Sequence, residues 1–285
     1  NDSSQHQNAY NQALQDAESI INQNSNPTLD KSVVEQKLQG LTQAQNALQG
    51  SHLLENAKNN AVTEINKLTA LNDAQRQKAI QNVQAQTTIP NVNQQLTTVK
   101  ELNSAMQALR DAVGQQNDVH QQSNYFNEDE QPKQNYDTAI QSGQEIINKS
   151  QDPVMNKTEI EQATNRINST KDALDGANKL HSDQENANRQ IEGLSSLNTA
   201  QINAEKDLVN QAKTRTDVAQ KLAAAKEINS AMSNLRDGIQ NKEDIKRSSA
   251  YINADPAKVA TYDQALQNAE NIINATPNVE LNKAT

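Results

Sequence analysis

The sequence predicts an all-α protein: tandem three-helix bundles that share long helices and continue as an elongated rod. Three observations carry that expectation. The chain repeats itself, since KELNSAMQALRD at 100–111 returns as KEINSAMSNLRD at 226–237 with nine of twelve positions identical. Tyr10, Tyr136 and Tyr262 head matching segments, so the register is 126 residues (136 − 10 and 262 − 136). A fixed period kept without a gap marks an array whose units stack end to end. Apolar residues recur at helical steps, and strand alternation appears nowhere. Composition agrees, because seven Gly, six Pro and 2% aromatics in 285 residues, beside plentiful Ala, Leu, Gln and Lys, favour helix over strand.

Within a period the first helix carries Tyr136, Ile140, Gly143 and Ile147 at steps of 4, 3 and 4, which share one face. Ser32 with Glu35, and Thr158 with Glu161, read as capping boxes that open the second helix, whose stripe is Val34, Leu38, Leu41 and Leu48. Gly50 and Gly176 mark a stop or kink before a third helix bearing Leu54, Ala57, Ala61, Ile65 and Leu68. Asn72 with Gln75, and Asn198 with Gln201, start a fourth. Asn91 with Gln94, and Asp217 with Gln220, are expected to open the fifth, which holds the repeated dodecamer.

That fifth helix has an unbroken apolar stripe, Val92, Leu96, Val99, Leu102, Met106, Leu109 and Val113. Run on to His120 it would be roughly 40 Å long at ~1.5 Å per residue, about twice what one small bundle requires. One end is therefore expected to pack in the bundle before it and the other in the bundle after. The residues assigned to this shared seam are Leu102, Met106 and Leu109, with Ile228, Met232 and Leu235 in the second copy. Asp255 and Pro256 supply a cap and first-turn proline for the helix that follows.

Composition excludes several function classes. A hydrophobic content of 34% with no Trp gives a thin core, and the mean hydropathy is −0.92. The net charge of −9 without a basic cluster argues against a nucleic-acid partner. Zero Cys removes disulfides, thiolate nucleophiles and thiolate metal sites, which fits an exported bacterial chain, although many cytosolic chains lack Cys too. No apolar run approaches a membrane span, so attachment to membrane or wall is expected only through regions outside this sequence.

No catalytic, cofactor-binding or metal-binding residue is assigned. His6, His52, His120 and His181 form no close pair. The run NEDE at 127–130 has no EF-hand loop pattern and reads as carboxylates opening a helix. No phosphate loop or nucleophile elbow occurs, and slender bundles offer no concave site for acid–base chemistry, so an enzyme is not expected. Tyr10, Tyr136 and Tyr262 lie on the apolar stripe and read as core. Tyr125 and Tyr251, in a connection, are the candidate exposed contacts. Arg110–Asp111 and Arg236–Asp237 read equally as contacts where bundles meet or as solvated pairs.

The segments LLENAKNNAVTEINKLTAL (53–71), KEINSAMSNLRDGI (226–239) and YINADPAKVATYDQALQNAENIIN (251–274) resemble the alternating GA and FIVAR modules of giant staphylococcal surface proteins. The resemblance covers essentially the whole chain and implies five modules. They are a FIVAR-like bundle at 1–50 lacking its first helix, a GA-like bundle at 51–105 and a FIVAR-like bundle at 106–176. A second GA-like bundle follows at 177–231, then a FIVAR-like bundle at 232–285 lacking its last helix. It further implies a bacterial cell-surface location. GA modules elsewhere bind albumin through an apolar, aromatic surface at the second helix. Here that helix starts DAQRQKAIQNV (73–83) and TAQINAEKDLV (199–209), with no aromatic in either, so albumin is a doubtful partner. The expected role is a non-catalytic stiff spacer, monomeric, in envelope architecture and adhesion. The alternative is an adhesin module that binds a host matrix protein such as fibronectin.

Overall fold

The structure, a computed structural model, describes residues 2–285, and among these it contains fifteen α-helices and no strand. The chain divides into two compact units, Asn1–Gln115 with Thr138–Asn168 and Gln116–Asp137 with Ser169–Thr285. The helices up to the first unit boundary are α1 (Ser4–Ile21), α2 (Lys31–Ala47), α3 (Gly50–Asn66), α4 (Asp73–Gln84) and α5 (Ile89–Gly114). Next come α6 (Gln116–His120), α7 (Ser123–Phe126), α8 (Glu130–Asn148), α9 (Lys157–Asp172) and α10 (Gly176–Glu192). The chain closes with α11 (Thr199–Gln211), α12 (Arg215–Gly238), α13 (Lys242–Arg247), α14 (Ser249–Ile252) and α15 (Pro256–Ile273).

In the first unit α1 and α2 form a hairpin in which neither helix has a buried residue. The bundle α3–α4–α5 closes over Ala61 and Ile65 from α3, Ala79 and Val83 from α4, and Val92 and Val99 from α5. Beyond Met106 the same α5 meets α8 and α9: a Cβ placed on Gly143 would stand 2.9 Å from Val113 and 3.2 Å from Leu109, beside Ile167. α5 has 26 residues, so it is about 39 Å long at ~1.5 Å per residue.

In the second unit α10, α11 and α12 pack round Ala187, Ile191, Val209, Ala212, Val218 and Ala225. A second cluster lies further along α12. There Ile228 and Met232 join Leu197, with Leu194, Ile202, Ile272, Ile273 and Leu281 against them. Met232 therefore sits between side chains of the bundle before it and of the segment around α15 after it.

Several helix starts differ from expectation. α2 is capped by Asp30, whose carboxylate accepts the Ser32 amide at 2.8 Å, and Asn156 does the same for Thr158 at 2.9 Å. The expected hydroxyl at Ser32 instead donates to Asp30 at 2.7 Å. α5 and α12 start earlier than Asn91 and Asp217, because Thr88 and Thr214 accept the amides of those two residues. A threonine ahead of the run satisfies the orphan amides, and Pro90 fits the first turn of α5. α5 ends at Gly114 rather than His120, with α6 following after Gln115.

Gly50 and Gly176 are the first residues of α3 and α10, and among the described residues no glycine has positive φ. Gly176 is needed for close approach. A Cβ there would stand 2.6 Å from the Glu128 nitrogen and the Ser123 carbonyl oxygen.

Candidate functional site

Among the described residues no group of three or more His, Cys, Asp or Glu could hold a metal, and no helix is long and apolar enough to cross a membrane. What the chain repeats with care is a set of polar contacts where one bundle passes into the next.

In the first unit Asn72 and Gln75 form a reciprocal capping box at the start of α4. The Asn72 amide Nδ2 also donates to the carbonyls of Ile147 (3.1 Å) and Lys149 (3.2 Å), at the C-terminal end of α8. Those last carbonyls of a helix have no partner within it, so the cap of one helix satisfies the end of another. Gln75 is fully buried, and its Nε2 donates to the Val154 carbonyl at 2.8 Å. Arg110 Nε donates to the Ala70 carbonyl at 2.8 Å, while Asn103 Oδ1 accepts the Ala70 amide at 3.0 Å. Lys157 pairs with Glu101 at 3.3 Å on the outside.

Apart from the Asn72 bond to Lys149, whose place is taken by a bond from Asn198 to Ile272 O at 3.4 Å, these contacts recur 126 residues later, within the second unit. Asn198 donates to Ile273 O (3.1 Å), Gln201 to Glu280 O (2.8 Å) and Arg236 to Ser196 O (3.0 Å). Asn229 accepts the Ser196 amide at 2.9 Å, and Lys283 pairs with Glu227 at 2.6 Å. Each buried hydrogen bond is worth about 1 kcal/mol net, and more is lost if one partner is left unsatisfied. Of the two charge pairs left open above, Arg110 and Arg236 reach into the joint. Asp111 instead accepts from Gln107 on the same helix.

The seam residues run through the same joints. Leu102, Met106 and Leu109 are buried in α5, Ile228 and Met232 in α12, and Leu235 is half-buried. Both helices are unbroken through their methionine.

A second kind of joint precedes α10. The acidic run at 127–130 does not simply open α8. Glu128, buried, accepts the Asp175 amide and the Lys179 ammonium. Burial pushes the Glu128 carboxyl up, but Lys179 and the Asp175 and Asp129 amides outweigh it and hold it below the usual carboxylate range. Asp129 pairs with Lys179 and, at 2.8 Å, with Arg215, which also holds Asp183 at 2.7 Å. Asn127 closes the set, donating to Lys213 O and accepting the Arg215 amide, both at 3.0 Å. Asp2 caps Gln49 and Gly50 in the same way in the first unit. Sequence reasoning missed this joint, although an acid 48 residues before a repeated glycine (50 − 2 and 176 − 128) was a usable signal.

Tyr125 and Tyr251 are not exposed contacts. Both are half-buried, and their hydroxyls turn inward to donate to Asp137 (2.6 Å) and Asp263 (2.8 Å). His120 stacks on Tyr125 with ring centroids 4.1 Å apart and holds Asp137 at 2.8 Å, and Lys246 takes that place beside Asp263 at 3.1 Å. The carboxylate on the following helix supplies the acceptor that a buried phenol needs. The exposed apolar side chains are their neighbours, Phe126 and Ile252, at 40% and 68% exposure.

The FIVAR domain model matches residues 1–49, 105–175 and 231–285, and the GA module model matches 51–105 and 177–231. The chain belongs to the FIVAR and GA module family. It is 38% identical over 276 residues to the extracellular matrix-binding protein ebh of Staphylococcus aureus strain MW2, across 97% of this chain. It is 37% identical to EbhA of strain Mu3, again across 97%. The chain spans only 3% and 4% of those relatives' lengths. A crystal structure of EbhA residues 756–1003 from S. aureus matches with a TM-score of 0.70 and 28% identity, over 79% of this chain and 89% of that one.

The all-α repeat fold expected of FIVAR and GA modules is thus the fold found, and the family is one of matrix-binding repeat proteins rather than of enzymes. An extracellular, cell-surface location agrees with that membership. In FIVAR and GA terms the Asn72 joint lies where a GA module passes into a FIVAR module, and the Glu128 joint where FIVAR passes into GA.

Proposed function

We propose that the chain is a non-catalytic stretch of a much longer bacterial surface protein, where it acts as a stiff spacer. The observation that carries this reading is the continuous helix at each GA-to-FIVAR passage. α12 runs unbroken through Met232, which shares one apolar cluster with Leu197 of the GA module and with Ile272 and Ile273 of the FIVAR module packed against it. A helix packed at both ends cannot swivel at its middle without breaking its own hydrogen bonds and uncovering both cores. The polar joint then fixes the rotation that apolar packing alone leaves loose. Small-angle scattering of the chain should give an elongated, stiff particle. A compact globule or a profile of freely jointed beads would remove the spacer reading.

The second reading is adhesion, favoured by the name of the relatives, extracellular matrix-binding proteins. Weak contacts made by each module gain strength when many copies are tethered on one chain, because tethering raises effective concentration. Fibronectin and albumin are the ligands to titrate against the whole chain immobilised on a surface. Adhesion predicts fibronectin binding that tightens as repeats are added. Affinity no better than millimolar, with no gain on adding repeats, leaves the spacer alone.

A further inference from the structure

The two GA modules differ at one buried position. On α4 the inward stripe is Gln75, Ala79 and Val83, all fully buried; on α11 it is Gln201, Glu205 and Val209. Glu205 thus stands where the first copy has an alanine, at 1% exposure, and its Oε2 has no hydrogen-bond partner. Gln201, one turn earlier, is satisfied at both ends by Asn198 and Glu280. Glu205 lies one turn before Val209 on the same face of α11, and Val209 belongs to the Ala187–Ile191–Val218–Ala225 cluster.

An ionised carboxylate in such a place has lost water without gaining a donor. The charged groups on the surrounding elements are mostly engaged elsewhere. On α10 Asp183 is held by Arg215 and Glu192 by Lys206 of α11, and beyond α15 the Glu280 carboxylate accepts the Asn282 amide. Lys221 on α12 is the cation that bears on Glu205, and it also pairs with Asp217 at 3.8 Å.

We propose that the second GA module is a pH-responsive element of the array, closed while Glu205 is a neutral acid and loosened at α11 when that carboxyl ionises. The first GA module, with Ala79, does not respond. Burial pushes the Glu205 carboxyl above its ordinary value, and Lys221 offsets only part of this. The sign follows from linkage. The folded module binds the proton more tightly than the unfolded chain, so its stability is full below the ordinary glutamate value near 4.5. Stability falls as pH rises through the interval up to the folded value and is level above it. One chain would then carry two modules of one fold, one of which yields as acid is withdrawn.

Amide hydrogen exchange on the whole chain tests this, with α4 as reference for α11 in the same molecule. After correction for intrinsic rates, the ratio of α11 to α4 protection should fall between pH 4.5 and 8, by up to about tenfold per pH unit within the window. In Glu205→Gln, which keeps shape but cannot ionise, the ratio should stay flat. Glu205→Ala, which carries the residue the first copy already tolerates, should stay flat too, and serves if the amide disturbs packing. A wild-type ratio that does not change with pH, or a fall that persists in both variants, would overturn the proposal.

Discussion

The helices α1 and α2 are the counterparts of α8 and α9 in the 126-residue register, yet the first pair has no buried residue and the second has several. Tyr136 is 0% exposed while Tyr10 is half-buried, and Ile160 is 0% exposed while its counterpart Val34 is 44% exposed. Ile21 and Leu29 are more open still, at 79% and 92%. The apolar stripe is present in both pairs; what differs is the third helix. Val113 and Leu109 of α5 close on the Gly143 face, whereas the counterpart of Gly143 in α1, Ala17, is only half-buried. A stripe states which face wants to be buried. In a repeat array the neighbouring unit decides whether it is.

The largest test of that comparison is tyrosine removal. Tyr136→Ala should cost about 3–5 kcal/mol by urea denaturation, the range for emptying a large buried site. Tyr10→Ala should cost under about 1 kcal/mol, because its site is open on one side. Equal losses would mean that α1 and α2 are buried in solution as α8 and α9 are. Tyr136→Phe separates packing from polarity. The hydroxyl is buried without a partner, so its removal should be neutral or stabilising by about 1 kcal/mol.

Next is the glycine at the head of each GA module. Gly176→Ala would press a methyl into the backbone of Ser123, Asn124 and Glu128 at 2.6–2.7 Å and should destabilise by about 1–3 kcal/mol. At Gly50 the nearest atom is 3.6 Å away, so Gly50→Ala should be neutral or gain about 0.4–1 kcal/mol by restricting the unfolded chain. Melting temperatures of the two variants decide it. If both melt alike, the close approach at Gly176 is not what that glycine serves.

Much of this was legible in the sequence because it is local or periodic. The register, the helical steps of Tyr136, Ile140 and Gly143, and the capping boxes at Asn72 and Asn198 depend only on nearby residues. Missed features depend on partners far along the chain. Thr88 outcompeted Asn91 as a cap because Pro90 fits only the first turn, a choice the pattern left open. Tyr125 looked free in a connection, but Asp137, twelve residues on, turns it inward. Glu128 meets Asp175 across 47 residues of chain, beyond any local window, so only the repeated spacing of acid and glycine points to it.

The Glu128 joint gives a pH test of opposite sign to that at Glu205. Glu128 is held below the usual carboxylate range by Lys179 and the Asp175 and Asp129 amides, and Asp129 by Lys179 and Arg215, so their contribution is present above the unfolded value and lost as pH falls through the folded one. Exchange protection of the first turn of α10 should therefore drop on acidification below about pH 4, the ordinary carboxylate range. In Glu128→Gln that turn should already be weaker at neutral pH and change less with acid. A first turn indifferent to both acid and substitution would leave the contact without a role in holding α10.

The smallest expected effect returns to the open pair. Val34→Ala removes two methyl groups from a residue 44% exposed, and Leu38→Ala shortens one that is 61% exposed. Surface changes of this kind fall within about 0.5 kcal/mol of zero, whereas Ile160→Ala, at the counterpart of Val34, should cost about 2–5 kcal/mol. The measurement is informative in either direction because the face is the same in both copies. A loss at Val34 close to that at Ile160 would mean that something covers α1 and α2 in solution. Repeating the denaturation at several protein concentrations would identify the cover, since burial against a second copy makes stability concentration-dependent and burial within one chain does not.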